Sequence, residues 1–473
     1  MSRLVVVSNR VAPIHEGEAT AGGLAAGVMD ALRQSGGLWF GWSGRTLPQS
    51  VVPPDSLTPG SPPAVACSGP VTLYTTDLTQ RDYDEYYKGF SNSTLWPTMH
   101  YQISLARFEH QDYLGYQRVN RHFAVSLAAL LKEDDVIWVH DYHLMLLATA
   151  LREIGVRNRI GFFLHVPFPA SSVFSTIPVH AELGRGLATF DLIGFQTEGD
   201  QRAFSNYMRE ELQAETCPEG HLQLGHRVVR TGVYPIGVEA DPLRAEAIRG
   251  RDDPAICDYK GRLDQRALIM SVERLDYSKG LRQRFSAFER FLVQCPEWRR
   301  QVEYLQIAPP SRSDVEAYQT IRRELEGEAG RINGRFAELD WTPLRYLNRS
   351  FPRDQLMPLY ALAAVGLVTP LRDGMNLVAK EYVAAQDPED PGVLILSQFA
   401  GAARELDGAV RVNPHDEAGM AYAMKIALQM PVAEKRDRHA SMMRSLRTNS
   451  LDAWRDRFLF DLRLAEAGLS AAA

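Results

Sequence analysis

The segment Val365–Gln386 places a polar, glycine-containing turn between an apolar run and a helical pattern. The first-turn amides of such a helix lack intrahelical partners and lie at the positive end of the helix dipole, so the turn suits a pyrophosphate. We expect the amides near Leu377 and Val378 to hold phosphate oxygens. Asp373 is suited to accept hydrogen bonds from sugar hydroxyls, and Glu381 shares a helical face with Leu377, within reach of a ribose diol. The segment therefore predicts a nucleotide-sugar site.

Two cations follow another predicted strand, in the segment Val272–Gly280. Arg274 and Lys279 lie in one loop, where they can neutralise a diphosphate leaving group. Arg312 follows the next strand and is suited to a second phosphate. Each of these side chains taken singly is more typical of a solvated surface. Their shared placement after strands favours ligand binding and predicts transfer of a sugar from a nucleoside diphosphate.

The first predicted strand runs into Ser8-Asn9-Arg10, and a helical pattern begins after Gly22 and Gly23. An arginine directly after a strand commonly grips a phosphate or carboxylate, although a surface ion pair explains it too. Glycine lets a backbone approach a ligand closely. The spacing G-G-x-x-x-G differs from the G-x-G-x-x-G of dinucleotide binders, so close helix packing explains the glycines about as well.

Histidines and aromatic residues form a further group of candidates. The spacing of the histidines in His140–His143 and at His165 matches no zinc signature, and hydrogen-bonded core histidines are the usual alternative. Asp141 directly follows a predicted buried strand, so it is a candidate for holding an acceptor hydroxyl. Tyr87 is suited to a phosphate or hydroxyl, and Trp96 to a flat wall for a sugar ring. Ordinary helix packing explains these two aromatic residues equally well.

These residues require two sheets to position them. Short apolar runs alternate with helical patterns over 4–196 and again over 268–397, which predicts two doubly wound α/β domains. We place them at 1–237 and 238–450, with a helical segment, 451–473, packing back on the first. Open α/β sheets bind ligands at the carboxyl ends of their strands, so we expect the site in a central cleft. Seven prolines in Pro48–Pro70 predict an irregular surface excursion.

Composition excludes several classes of protein. The 473 residues are 45% hydrophobic and 23% charged, which is typical of an ordinary globular protein of two domains. A net charge of −6 gives no general attraction to nucleic acid or to an anionic membrane. The four cysteines are widely separated and fit a reducing cytoplasm. No apolar run reaches the roughly 18 residues that span a membrane.

Taken together, the motifs resemble those of one family. In chain order they read VVVSNR with AGGL, LWFGWSG, DEYYKGFSNSTLWP, VHDYHL, FFLHVPFP, VERLDYSKG, PSRSDVEAYQ and RDGMNLVAKEYVAAQ. The sequence is similar, over nearly its whole length, to the trehalose-6-phosphate synthases, which are retaining nucleotide-sugar glycosyltransferases. This resemblance implies the GT-B architecture, in which two Rossmann-like doubly wound domains face a central cleft. Departures from the family pattern are confined to the proline-rich excursion and to 225–266.

The resemblance also implies individual roles. Its acceptor, glucose 6-phosphate, would contact Arg10, Tyr87, Trp96, Asp141 and Arg312. Its donor, UDP-glucose, would contact Gly22, Gly23, His165, Arg274, Lys279, Phe351, Asp373, Leu377, Val378, Ala379, Lys380 and Glu381. The catalytic residues would be His165, Arg274, Lys279 and Asp373, with front-face attack assisted by the leaving phosphate. The family implies no metal, no cofactor, no nucleic-acid or membrane partner, a cytoplasmic location, and a homo-oligomer that is a dimer or a tetramer.

Alternatives remain open at this point. A related synthase would use another phosphorylated acceptor such as glycerol 3-phosphate, or would join cyclitols, and ADP- or GDP-glucose would replace UDP-glucose without a trace in the side chains. A non-catalytic homologue would sense sugar phosphate without turnover. A phosphorylase of similar architecture that uses pyridoxal phosphate would show an absorbing Schiff base.

Overall fold

The computed structural model describes residues 2–11, 29, 32, 36–47, 64–217, 220–312 and 315–464. The chain divides into two compact units, Met1–Pro235 with Trp454–Ala473 (unit 1) and Ile236–Ala453 (unit 2). Gly22 and Gly23, most of the helical pattern that follows them, and the prolines of 48–63 lie outside the described residues.

Unit 1 is built on a mostly parallel sheet, which has ten strands in the described part of the chain. Its order is β3-β4-β2-β1-β5-β6-β7-β10-β9-β8, and β1 pairs in parallel with both β2 and β5. The central strands are continuous apolar runs because both faces of a parallel sheet are covered. The strands are β1 (Leu4–Arg10), β2 (Gly37–Leu47), β3 (Ala64–Ser68), β4 (Val71–Thr79), β5 (Val136–His140), β6 (Arg159–Phe163), β7 (Leu192–Phe195), β8 (Glu215–Thr216), β9 (Leu222–Leu224) and β10 (Arg227–Val233).

Part of the proline-rich segment is regular, and the prediction of an irregular excursion over Pro48–Pro70 is wrong there. Strand β3 pairs antiparallel with β4, with Ala64 opposite Thr75. No proline lies between Pro63 and Pro70, so this stretch can form ladder hydrogen bonds. Its position at the sheet edge is one that tolerates flanking prolines.

The helices of unit 1 cover the sheet and carry aromatic residues. The longest of them within the described residues is His110–Ala128, and it packs beside a π-helix, Tyr83–Leu95. Other helices of unit 1 are Trp96–Met99, Leu147–Glu153, Ser171–Phe174, His180–Leu187 and Glu198–Leu212.

Unit 2 is built on a parallel sheet of six strands in the order β13-β12-β11-β14-β15-β16. The order is that of a dinucleotide-binding fold, in which the chain first builds outward from β11 in one direction and then returns to build in the other. The strands are β11 (Ala267–Val272), β12 (Val302–Ile307), β13 (Leu344–Leu347), β14 (Val365–Val368), β15 (Val393–Ser397) and β16 (Val410–Val412).

Helices on both faces of this second sheet bury its apolar residues. Phe285, Phe288 and Phe291 recur at helical spacing along Leu281–Gln294 and are fully buried in one core with strand residues such as Ile269. The remaining helices are Ala240–Gly250, Pro254–Leu263, Glu316–Phe336, Arg353–Leu362, Leu377–Ala385, Glu417–Gln429 and Val432–Thr448.

The last described helix, Leu451–Leu464, belongs to unit 1 from Trp454 onward. Trp454 and Phe458 each lie 4.8 Å, centroid to centroid, from Trp138 of β5. Gly161 of β6 makes room for this packing, since a Cβ there would lie 2.9 Å from the Phe458 ring. The prediction of two parallel α/β sheets, one in each half of the chain, is confirmed.

Candidate active site

The loops that follow β11 and β14 meet at the carboxyl edge of the second sheet. These two strands are neighbours, and they mark the point at which the strand order reverses. Ligands of open α/β sheets bind outside such a point. Lys279, in the first loop, pairs through Nζ with Oδ2 of Asp373 in the second, and their side chains are only 10% and 14% exposed. Two residues predicted for the donor site are thus brought together.

Asn376 links this ion pair to the helix that follows. Its side-chain oxygen accepts from the Ala379 amide at 3.0 Å, which caps Leu377–Ala385. Its Nδ2 donates to Asp373 Oδ2 at 3.1 Å and to Glu273 Oε1 at 2.8 Å. Because the cap uses the amide of Ala379, the first-turn amides that it leaves for a ligand are those of Leu377 and Val378.

A buried arginine supports the same loops. Arg284 is fully buried and lies 3.6 Å from Glu273, and it donates to Thr369 Oγ1 at 2.9 Å and to the Lys279 carbonyl at 2.6 Å. Burial raises the pKa of Glu273, and the charge of Arg284 opposes that shift. The side chain therefore joins the ends of β11 and β14. Sequence reasoning missed Arg284 because it lies within a helical pattern, where an arginine is usually a solvated surface residue.

Lys380 and Glu381 have different surroundings. Lys380 Nζ is fully buried and donates to the Ile236 carbonyl at 2.7 Å and to Glu405 at 2.5 Å, so its ammonium serves unit 2 internally. Burial lowers its pKa, and Glu405 opposes that effect. For Glu381, burial raises the pKa to about 7, with Arg353 acting in the opposite direction.

Arg312 lies in a left-handed conformation, with φ at 46°, after β12. Its guanidinium donates to Asp276 Oδ2 at 3.1 Å and to the Tyr318 hydroxyl, and that hydroxyl donates to the same Asp276 oxygen at 2.9 Å. Asp276 also caps the short turn that carries Lys279. Two more residues are predicted to contact the donor. Arg274 is exposed, and the ring of Phe351 lies 4.5 Å from the guanidinium carbon of Arg349.

In unit 1, Arg10 ends β1 and lies over an aromatic residue. Its guanidinium carbon is 5.8 Å from the ring centre of Trp42, whose indole N–H donates to the Arg45 carbonyl at 2.7 Å. Gly44 has φ of 89°, and a Cβ there would lie 2.5 Å from the Arg10 guanidinium. Sequence reasoning did not single out Trp42, although it lies within the motif LWFGWSG.

Tyr87 and Trp96 both face the loop after β5. The Tyr87 ring stacks on His143 at 5.9 Å with an interplanar angle of 12°, and Trp96 lies 5.7 Å from Tyr142. Tyr87 also lies 5.8 Å from Trp42, which continues the aromatic set toward Arg10. Trp96 itself is only 4% exposed. The structure thus brings these predicted acceptor residues into one aromatic wall.

Asp141 begins that same loop in a strained conformation. Its φ of 74° and ψ of 166° lie in a region that only glycine enters readily. Its amide donates to the Phe163 carbonyl at 2.8 Å, and its Oδ1 accepts from the His165 amide at 3.2 Å. Such strain clusters at functional sites, where surrounding structure holds it in place. The conformation therefore favours a functional role for the Asp141 carboxylate.

His165 follows β6 and forms a pair with His140. One imidazole donates to the other across 3.0 Å between His140 Nδ1 and His165 Nε2. Burial lowers the pKa of His165 to about 3 and that of His140 well below its ordinary value. Both imidazoles are therefore neutral near pH 7, so His165 can form hydrogen bonds there but carries no positive charge.

The described ranges contain no group of three or more His, Cys, Asp or Glu side chains that could hold a metal ion. Asp82 and Asp84 have the D-x-D spacing that can hold a metal ion, but both carboxylates are in ion pairs. Asp82 pairs with Arg118 at 2.6 Å, and Asp84 pairs with Lys88 at 3.0 Å. Among the helices of the described residues, none has the length and apolarity to cross a bilayer.

The two sheets, with charged and aromatic residues in the loops after their strands, have the arrangement expected of a two-unit α/β protein that binds phosphorylated ligands. Residues 4–463 match glycosyltransferase family 20. The chain belongs to this family, as the sequence motifs predicted. It is 50% identical over 463 residues to trehalose-6-phosphate synthase of Enterobacter sp. (strain 638), across 98% of this chain and 95% of that protein.

Two solved structures are similar to this chain over nearly their whole length. An α,α-trehalose-phosphate synthase (UDP-forming) from Burkholderia xenovorans, in complex with glucose-6-phosphate, is 55% identical with a TM-score of 0.92, over 98% of this chain and 100% of that one. A structure from E. coli bound with UDP-2-fluoro glucose is 48% identical with a TM-score of 0.92, over 98% and 99% of the two chains.

Proposed function

We propose that this protein transfers glucose from UDP-glucose to the anomeric hydroxyl of glucose 6-phosphate with retention. The products are α,α-trehalose 6-phosphate and UDP, which is a step of trehalose biosynthesis. The observation that carries the proposal is the ion pair of Lys279 and Asp373, joined by Asn376 to the helix that begins at Leu377. The glucose-6-phosphate and UDP-2-fluoro glucose bound in the two similar structures support it.

The donor's diphosphate binds at the start of helix Leu377–Ala385. The amides of Leu377 and Val378 hold its oxygens, while Arg274 and Lys279 supply positive charge. When phosphate arrives, Lys279 shares its ammonium between Asp373 and the leaving group, which frees part of the carboxylate to accept from glucose hydroxyls. Charge that is already in place costs no reorganisation when the sugar leaves.

Six further residues complete the proposed donor site. Glu381 accepts from the ribose diol as a carboxylate. The Asn376 cap occupies the Ala379 amide and Glu405 pairs with the Lys380 ammonium, so donor contacts by these two residues are assigned from the family resemblance. Phe351, Gly22 and Gly23 are assigned from the family resemblance.

The acceptor binds to the charged and aromatic residues of unit 1. Tyr87 and Trp96 line the sugar, and Asp141 accepts a hydrogen bond from a sugar hydroxyl. Arg10 binds the phosphate, and Arg312 is assigned as a phosphate contact from the family resemblance. We add Trp42 to this set because it connects Arg10 to Tyr87.

The chemical step is a substitution on one face of the sugar. The bond between C1 of glucose and the β-phosphate oxygen breaks, and C1 bonds to the acceptor's anomeric oxygen on the same face. The acceptor's proton passes to the departing phosphate oxygen, so atoms and charge balance. Arg274 and Lys279 stabilise the negative charge that develops on UDP, and neutral His165 orients the transferring sugar through hydrogen bonds.

Release of UDP with a panel of acceptors tests the proposal. The protein is incubated with UDP-glucose and either glucose 6-phosphate, glycerol 3-phosphate or no acceptor. We expect UDP only with glucose 6-phosphate. Release with glycerol 3-phosphate alone would assign a related synthase. Binding of UDP-glucose without turnover on any acceptor would assign a sensing role instead.

Location and assembly are part of the proposal. We place the protein in the cytoplasm, which the four free cysteines support because oxidising compartments favour disulfides. We expect a homo-oligomer, either a dimer or a tetramer. Light scattering of the purified protein measures its mass, and a monomer at micromolar concentration would contradict the expected assembly.

A further inference from the structure

The segment that carries Tyr87 is wound as a π-helix, Tyr83–Leu95, along its whole length. Its hydrogen bonds join residues five apart, and the Trp96 amide still donates to the Ser91 carbonyl. Helices of this type are rare, short and frequently found at functional sites. A π-helix of thirteen residues is therefore unusual and needs contacts of its own side chains to stabilise it.

The winding decides which side chains share a face. Tyr87 and Trp96 are nine residues apart, which is close to two whole turns of a π-helix, because its i→i+5 hydrogen bonds make each turn wider than that of an α-helix. In an α-helix, nine residues make two and a half turns at about 3.6 residues each, which would put the two side chains on opposite faces. Both do face the loop after β5, where Tyr87 stacks on His143 and Trp96 lies against Tyr142.

Asn92 lies at the centre of this arrangement. It is only 2% exposed, and its Nδ2 donates to the Tyr87 carbonyl, five residues earlier, at 2.7 Å. Its Oδ1 accepts from the Tyr142 hydroxyl at 3.0 Å. The side-chain amide of Asn92 thus links the π-helix to the loop that begins with Asp141. Ser93 repeats the first contact less deeply, since its hydroxyl donates to the Lys88 carbonyl at 2.8 Å.

We propose that Asn92 is a positioning residue that maintains the π-helix and thereby places Tyr87 and Trp96 on one face for the acceptor. The inference rests on the proposed function, because the acceptor is glucose 6-phosphate. Asn92 touches neither substrate. Its effect is confined to acceptor binding, since the donor's diphosphate contacts lie in unit 2.

The test compares Michaelis constants for both substrates in three variants at this joint. Asn92→Ala removes both hydrogen bonds, Asn92→Asp removes the donor to the Tyr87 carbonyl, and Tyr142→Phe removes the hydroxyl. We expect Asn92→Ala to raise the KM for glucose 6-phosphate about tenfold or more, the factor that about 1.4 kcal/mol makes, with the KM for UDP-glucose within about twofold. Asn92→Asp should resemble Ala, and Tyr142→Phe should shift the same constant less.

Asn333→Ala is the matched control. Asn333 also makes two side-chain hydrogen bonds, one to the Leu344 carbonyl at 2.9 Å and one from the Leu344 amide at 3.1 Å, but it lies in helix Glu316–Phe336 of unit 2. We expect its thermal midpoint to fall while both KM values stay near those of the unchanged protein. A purely structural Asn92 would give this same pattern.

The outcomes separate the two proposals. If the unchanged protein forms no disaccharide phosphate, the proposed function fails first. If it turns over and the folded Asn92 variants change both KM values equally, or neither, the positioning role is refuted. If Asn92→Ala does not fold, Asn92→Asp and Tyr142→Phe decide, and unchanged acceptor KM values in both would refute it.

Discussion

Replacing Asp141 by glycine should give a more stable protein than replacing it by alanine, although both variants lose the carboxylate. The backbone at this position has φ of 74° and ψ of 166°, where a Cβ is strained. Glycine relieves that strain, and alanine keeps it. Both variants lose the side chain, so the difference between their stabilities reports the cost of the conformation, offset by the greater freedom of glycine in the unfolded chain.

The magnitude follows from two opposing terms. Strain in this region costs roughly 1–3 kcal/mol. Glycine also makes the unfolded chain freer, which costs about 0.4–1 kcal/mol relative to alanine. We therefore expect Asp141→Gly to exceed Asp141→Ala by about 0.5–2 kcal/mol in free energy of unfolding. Urea transitions of the two variants, recorded under the same conditions, give the difference from their midpoints.

Activity completes the test. Neither variant has an oxygen to hold the acceptor hydroxyl, so we expect both to lose turnover with glucose 6-phosphate while retaining UDP-glucose binding. Greater stability of Asp141→Ala by about 0.4–1 kcal/mol, the full entropy cost of glycine, would show that the backbone there is not strained. An Asp141→Gly protein with near-normal turnover would remove the carboxylate from the acceptor site.

Three further predictions concern unit 2. Lys279→Ala should slow turnover about 10²–10³-fold, because the variant loses a group that stabilises the negative charge of the leaving phosphate. The control is Arg282→Ala, which removes an exposed cation paired with Glu324 at 3.3 Å; its turnover should stay within about twofold of the unchanged protein. Arg312→Ala should raise the KM for glucose 6-phosphate far more than that for UDP-glucose, and equal increases would contradict its role. With a pKa of about 7, Glu381 loses its charge as the pH falls, so the KM for UDP-glucose should rise below pH 7, whereas Glu381→Gln should show a high KM that is independent of pH.

The donor loops could be predicted from sequence because their residues follow strands. Parallel strands end at one edge of the sheet, so the sequence places Lys279 and Asp373 at the same edge, and the structure pairs them. The environment of Lys380 could not be predicted in this way. Its partner Glu405 comes 25 residues later, and only the folded unit shows that the ammonium is buried against it.

The acceptor loops were harder to read from sequence. A π-helix has no established residue pattern, so the shared face of Tyr87 and Trp96 is visible only in the structure. Trp42 could not be assigned from the sequence because it lies within a strand, where a tryptophan is normally part of the hydrophobic core. The strained backbone of Asp141 also leaves no trace in the sequence, since glycine and not aspartate is the residue expected there.

The central claim is the transfer of glucose to glucose 6-phosphate with retention, and the anomeric proton signals of the product test it most directly. The protein is incubated with UDP-glucose and glucose 6-phosphate, and the product is followed by NMR. We predict the two α-anomeric signals of an α,α-1,1-linked disaccharide phosphate, appearing in step with UDP. A β-anomeric signal, or free glucose with no disaccharide, would contradict the account.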